Sequence, residues 1–213
     1  MKTPNPIKPV AGLYVITDTQ LMNQHNLIKM VEEALKGGAK WVQFRDKISD
    51  KSTKIELASR LKQLCQNYQA WLIINDDIQL AKSINAHGVH IGKDDADISI
   101  ARKILGPQAI IGVSCYNDLN LAKKMQTLGA NYIAFGRFFA SKTKPNAPQA
   151  NIETLTLAKQ QLNIPIVAIG GITTNNAQQL IDAGADSLAV IQGVFAQPNI
   201  QEQSHAIQNL FTL

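Results

Sequence analysis

In the pentapeptide Q-F-R-D-K, alternation sends Gln43, Arg45 and Lys47 to one side of an extended segment. Two cations on that side suit a phosphate or diphosphate, the arginine as a planar fork and the lysine as a point charge. The bland alternative is a solvated strand end with ion pairs to Asp46 or Asp50. The segments I-N-D-D (74–77) and H-I-G-K-D-D (90–95) each run out of an apolar stretch into carboxylates. Asp76 and Asp95 stand within reach of one ion if those segments are neighbours, and magnesium typically takes one or two carboxylates beside waters and phosphate oxygens. Each could instead cap a following helix, although Asp97 is the better cap in the second segment. Further along lie Ser114, the run Ser141, Lys142, Thr143 and Lys144, and the segment I-P-I-V-A-I-G-G-I-T-T-N-N. Its paired Gly170 and Gly171 let a backbone approach a phosphate closely, and a helical pattern begins just after them. Asn175 with Gln178 also spells a capping box.

These residues need a scaffold that brings distant segments to one place. Eight short apolar runs, at 13–17, 41–44, 71–74, 88–91, 110–113, 132–135, 166–169 and 187–191, have the length and composition of doubly buried parallel strands. Between them apolar residues recur at helical spacing, as in Leu27, Met30, Val31, Ala34 and Leu35, or Leu119, Ala122, Met125 and Leu128. The stripe Leu57, Leu61 and Leu64 reads as helix core. Three helix-to-strand joints, A-L-K-G-G-A, M-Q-T-L-G-A and L-I-D-A-G-A, place glycine where a helix must end. The expected fold is a single α/β (βα)8 barrel over 1–213, with 1–10 as an extension and 137–151 as a long loop over the active site. An open doubly wound sheet is the alternative, but no G-x-G-x-x-G is present. In a barrel the C-terminal strand ends form the mouth, and almost every residue singled out above falls there.

Composition narrows the rest. Of the 213 residues 45% are apolar and 17% charged, enough to fill a core and too apolar for disorder. No apolar run approaches the ~18 residues of a membrane span. Positions 1–10 carry prolines and two lysines without an apolar centre, unlike a secretory leader. The net charge of +5 is spread along the chain, which suits anionic small molecules better than nucleic acid. Two cysteines, Cys65 and Cys115, make no disulfide framework, and a reducing, cytoplasmic compartment is expected. His90 reads as a hydrogen-bonded core histidine and Cys115 as a buried small residue. No P-loop, H-E-x-x-H or G-x-S-x-G motif occurs.

Six motifs in order make the chain resemble the thiamine-phosphate synthase family. Q-x-R-x-K stands at 43–47, I-N-D at 74–76, G-V-H-[LI]-G-x-x-D at 88–95 and I-G-x-S at 111–114. G-x-x-F-x-[TS]-x-T-K stands at 136–144, A-I-G-G-I at 168–172, and the resemblance spans 12 to about 193. It implies a transferase of thiamine biosynthesis. The reaction joins a pyrimidine methyl diphosphate to a thiazole phosphate, releases pyrophosphate, and passes through a carbocation stabilised by the aminopyrimidine. Carried over by position, Gln43, Arg45, Lys47, Asn75, Ser114 and Lys144 bind the pyrimidine diphosphate, with Arg45, Lys47, Ser114 and Lys144 catalytic. Ser141, Lys142, Thr143, Gly171, Ile191 and Gln192 hold the thiazole phosphate, and Asp76 and Asp95 hold Mg²⁺. No protein nucleophile is required. Ser141 stands where threonine is frequent and Gln192 where serine is usual. Asp77 and Arg137 replace a common arginine and proline, placing charge near the mouth.

Two rival functions share the barrel. A thiazole tautomerase needs no diphosphate site and calls for a histidine near the mouth, yet no histidine stands between His90 and His205. A non-catalytic sensor of phosphorylated ligands has no need of Asp76 and Asp95 together. A homo-oligomer is compatible with the sequence.

Overall fold

The computed structural model describes residues 11–92, 98–141 and 148–212. Eight parallel strands form a closed barrel in sequence order. They are β1 (Gly12–Ile16), β2 (Trp41–Phe44), β3 (Trp71–Asn75), β4 (Gly88–Ile91), β5 (Ile110–Tyr116), β6 (Tyr132–Phe135), β7 (Ile166–Ile169) and β8 (Ser187–Val190). The ring closes where β8 pairs with β1, Gly12 opposite Ser187 and Leu13 opposite Leu188. Outside it lie α1 (Leu27–Lys36), α2 (Lys51–Asn67), α3 (Ile78–Ser83), α4 (Ile98–Leu105), α5 (Leu119–Thr127), α6 (Ile152–Gln161), α7 (Ala177–Asp182), α8 (Gln192–Phe195) and α9 (Ile200–Asn209). The chain is therefore a (βα)8 barrel, and among the described residues no helix is long and apolar enough to cross a membrane.

Strand alternation divides the apolar residues into two cores. Leu13, Val15, Val42, Leu72 and Leu188 point outward and meet the helices, including Leu27, Val31, Ala34 and Leu35 of α1. Each fully buried side chain of this size contributes about 2 kcal/mol relative to an exposed one. Tyr14, Ile16, Trp41, Ile73, Ile110, Tyr132 and Val167 point inward and fill the barrel. Leu57 and Leu61 are buried and Leu64 packs beside them. The α5 stripe is narrower than its spacing predicts. Ala122 is buried, but Leu128 follows the last helical turn and is half exposed.

The three glycine joints have one geometry. Gly38, Gly129 and Gly184 adopt φ of 97°, 97° and 111°. At each, the glycine N–H and the next N–H return to the last helical turn: Gly129 to Gln126 and Ala130 to Met125, both 3.0 Å. The joints after α2 and α3 use the same bonds with Gln69 (φ 53°) and Asn85 (φ 51°) in place of glycine. Sequence inspection finds the glycines and misses the two substitutes.

β1 ends at Ile16 and β3 at Asn75, each one residue from expectation, and two further strand ends differ as well. β5 continues past Val113 to Tyr116 through a bulge between Ser114 and Tyr116, so it reaches further into the mouth. β8 ends at Val190, and Ile191 becomes the residue preceding α8.

Candidate active site

The C-terminal mouth opens into a cavity of about 460 Å³. Among its lining are the inward side chains Ile16, His90, Ala134, Ile169 and Ala189. The barrel interior also holds an aromatic cluster in which the Tyr14 and Trp41 rings lie 5.4 Å apart and the Trp41 and Tyr132 rings 5.6 Å apart. On one arc stand Gln43, Arg45, Asn75 and Ser114; across from them stand Gly171, Ile191 and Gln192, with Ser141 on the rim. Eight of the residues anticipated for substrate thus line one space. Lys142, Thr143, Lys144 and Asp95 lie outside the described residues, as do Asp97 and the 1–10 extension.

Each arc is fixed by local bonding. Thr17 Oγ1 accepts from the Arg45 N–H at 2.8 Å, holding the end of β2 against β1 while the guanidinium reaches the cavity. Among the described residues that guanidinium makes no ion pair. The ion pairs to Asp46 or Asp50 of the bland reading do not form, although Lys47 is exposed and ion-paired elsewhere. Asp46 accepts from the N–H groups of Ile48 and Ser49, and Asp50 caps α2 through the Thr53 N–H. Lys47, although anticipated beside Gln43 and Arg45, does not line the cavity and instead pairs with Asp76, Nζ to Oδ2 at 2.5 Å. Asn75 Nδ2 donates to the same carboxylate oxygen at 2.6 Å.

Asp76 is not a helix cap. That role falls to Asp77, which accepts from the Leu80 N–H at 2.8 Å, so the charge departing from the family pattern is engaged in starting α3. Asp76 itself sits at φ 61°, a left-handed conformation that costs a residue with a Cβ of order 1 kcal/mol. The other departure, Arg137, borders the cavity.

Opposite, the glycine pair is required by sterics. A Cβ on Gly170 would lie 2.3 Å from Arg137 Cβ, and one on Gly171 (φ 64°) would lie 2.3 Å from the Ala140 carbonyl oxygen. The capping box expected at Asn175 and Gln178 does not form. Asn176 precedes α7, and its side chain turns back to accept from the Thr173 N–H (2.8 Å) and donate to the Gly171 carbonyl (3.0 Å). It therefore buttresses the glycine turn, a role its sequence position beside another asparagine concealed. Gln192 and Gly193, which open α8, line the cavity, while the Val194 and Phe195 N–H groups are taken by the Ile191 carbonyl.

His90 is buried and hydrogen-bonded, as expected, with Nδ1 2.9 Å from Tyr132 Oη and Nε2 2.8 Å from Ser114 Oγ. It also borders the cavity, so a histidine does stand near the mouth. Cys115 is buried, and burial pushes its thiol up to about 12, leaving it a poor nucleophile. Tyr14 and Tyr132, buried beneath the cavity, were missed as polar partners of its residues, because in sequence they are indistinguishable from core aromatics.

The cavity can hold two anionic groups on facing arcs, one near Arg45 and one at the Gly171 and α8 backbone, with a polar floor edge between them. Against known proteins, the family model described as Thiamine monophosphate synthase matches residues 13–194. A Thiamine-phosphate synthase of Nitrosococcus oceani is 49% identical over 202 residues, 95% of this chain and 93% of that protein. One of Saccharophagus degradans is 50% identical over 199 residues, 93% of this chain and 92% of that protein. The solved thiamine phosphate pyrophosphorylase of Pyrococcus furiosus superposes with a TM-score of 0.87 at 32% identity, covering 95% and 96% of the two chains.

Proposed function

Since the chain belongs to the thiamine monophosphate synthase family, and is a transferase of thiamine biosynthesis, we propose that its mouth joins a 4-amino-2-methylpyrimidine methyl diphosphate to a thiazole phosphate. The observation that carries this reading is the two-armed cavity, with Gln43, Arg45, Asn75 and Ser114 facing Gly171, Ile191 and Gln192. One arc suits a diphosphate with its heterocycle; the other offers backbone N–H groups to a monophosphate.

In the proposed reaction the bond between the methylene carbon and the diphosphate oxygen breaks, and its electron pair leaves with pyrophosphate. The ring amino group of the pyrimidine stabilises the resulting cation. The thiazole nitrogen lone pair then forms the new carbon–nitrogen bond. Negative charge develops on the departing oxygens, where Arg45, Lys47 and Lys144 act by electrostatic stabilisation. Asn75 and Ser114 orient the pyrimidine, and the apolar lining at Ile16, Ala134, Ile169 and Ala189 helps exclude water from the cation.

The residues suit Mg²⁺. Asp76 offers a carboxylate at the mouth beside a lysine, and Mg²⁺ favours such an oxygen donor when phosphate oxygens complete its shell. As the family resemblance implies, Asp76, Asp95 and the substrate's own oxygens would hold the ion. When bound there it would neutralise charge on the leaving diphosphate. Two buried, unpaired cysteines support placing the activity in the cytoplasm.

The test is an endpoint assay with both substrates and Mg²⁺, with and without EDTA, following thiamine phosphate by fluorescence after oxidation. Metal-dependent product is expected. A folded sample that forms none, but isomerises a thiazole carboxylate phosphate, would overturn the reading in favour of the tautomerase.

A further inference from the structure

A continuous run of hydrogen bonds crosses the barrel beneath the cavity and ends in it on both sides. Gln43 Nε2 donates to Tyr14 Oη at 2.8 Å. The Tyr14 and Tyr132 hydroxyls lie 3.0 Å apart. Tyr132 Oη is 2.9 Å from His90 Nδ1, and His90 Nε2 is 2.8 Å from Ser114 Oγ. Both tyrosines are essentially inaccessible, and burial raises their hydroxyls well above the ordinary phenol range, so each keeps its proton. The Tyr132 ring fits because the facing residue is Gly112, where a Cβ would stand 1.9 Å from Tyr132 Cζ.

Counting protons gives the run a direction. Tyr14 Oη accepts from Gln43 and its own buried proton needs an acceptor; taking Tyr132 Oη as that acceptor gives the run one direction. A buried hydroxyl proton needs an acceptor, and for Tyr132 that acceptor is His90 Nδ1. The imidazole proton is then on Nε2 and is donated to Ser114 Oγ. Ser114 consequently turns its own proton toward the cavity, while Gln43, pinned at its nitrogen, keeps its carbonyl oxygen for a ligand.

We infer that Tyr14, Tyr132 and His90 are positioning residues that set the hydrogen-bonding polarity of the site, Gln43 as acceptor and Ser114 as donor, and so select an amino-substituted heterocycle. This deepens the proposed function and rests on it. A ring amino group donates to Gln43, and a ring nitrogen accepts from Ser114. An oxo group in place of the amine meets the Gln43 oxygen as a second acceptor. Turning the Gln43 amide alone sets its oxygen against Tyr14 Oη, whose proton is committed to Tyr132. Accommodation therefore requires every bond of the run to reverse and the imidazole to exchange its tautomer.

The experiment compares kcat/KM for the 4-amino and 4-oxo pyrimidine methyl diphosphates in wild type, Tyr132→Phe and Tyr14→Phe. Cutting the run lets Gln43 turn independently, so the amino-over-oxo preference should fall by about tenfold in either variant, the scale of one hydrogen bond. A structural role alone would slow both substrates alike and leave the preference unchanged; that result in a folded variant overturns the inference. Nitrogen NMR of wild-type imidazoles supplies a measurement independent of any variant, with His90 protonated at Nε2 and bare at Nδ1. The opposite tautomer overturns the inference even if the synthase activity is present. A wild type that turns over neither substrate sinks the functional reading instead.

Discussion

Lys47 and Asp76 form a short ion pair that is half exposed on the lysine side, a setting in which such pairs contribute at most about 1 kcal/mol. Stability does not explain a left-handed aspartate held between a lysine and Asn75 at the lip of a cavity. The proposed role toward a magnesium-bound diphosphate would account for it. Asp76→Ala and Lys144→Ala should each lower turnover by more than about tenfold while the melting curve and far-UV spectrum stay near wild type. Near-wild-type turnover in both would remove these residues from the site. The charged members of the cavity were legible because charge at an apolar strand end is conspicuous. Tyr14, Tyr132 and Asn176 were not: a phenol and an amide gain their roles only from partners 118 and 5 residues away, respectively.

At the scale of elements, the recurrent left-handed joint permits a clean comparison. Gly129 has open space around the position a Cβ would take, so Gly129→Ala should cost about 1 kcal/mol from backbone conformation alone. Gln69 is exposed and in the same conformation, and Gln69→Gly should be neutral to stabilising by up to about 0.5 kcal/mol once glycine's greater unfolded freedom is counted. Urea unfolding of both variants checks the sign. A destabilised Gln69→Gly would mean that the side chain matters there.

A second element-scale prediction concerns the joint between β3 and β4. His87 Nδ1 accepts from the Leu72 N–H at 2.9 Å, with Trp71 stacked on the ring and Lys62 Nζ 3.0 Å from Nε2. Burial, then the lysine charge, lower its pKa from 6.5 to about 4. The unfolded chain therefore binds the proton first. The stability that neutral His87 contributes is complete above about pH 6.5 and is lost as pH falls toward 4. Thermal melts between those limits should fall less steeply for His87→Gln than for wild type. Parallel slopes would refute the assignment.

For the whole molecule, the two arcs of the cavity come from opposite sides of a closed barrel, so an anion bound between them stabilises the folded chain by mass action. Pyrophosphate with Mg²⁺ at about a hundred times its dissociation constant should add about 2.7 kcal/mol, raising Tm by roughly 5–10 °C. Arg45→Ala should abolish most of that rise. An unchanged rise in the variant would place the anion elsewhere.

The sequence alone determined the order of strands and helices and pointed to a barrel with most of the polar residues at its mouth, while the structure showed that the sheet closes. These follow from local periodicity and from chain-terminating glycines, which are properties of neighbours. The α5 stripe, the Asn175 capping box and the strand ends at Tyr116 and Val190 came out differently. Each depends on how a chain end packs against its surroundings. Only the tertiary structure decided that Asp77 caps α3 while Asp76 pairs with Lys47, and that Tyr14, Tyr132 and His90 tie Gln43 to Ser114. Closing the barrel brings strands one, two, four, five and six around a common centre, and the partner of each polar group is set by that closure.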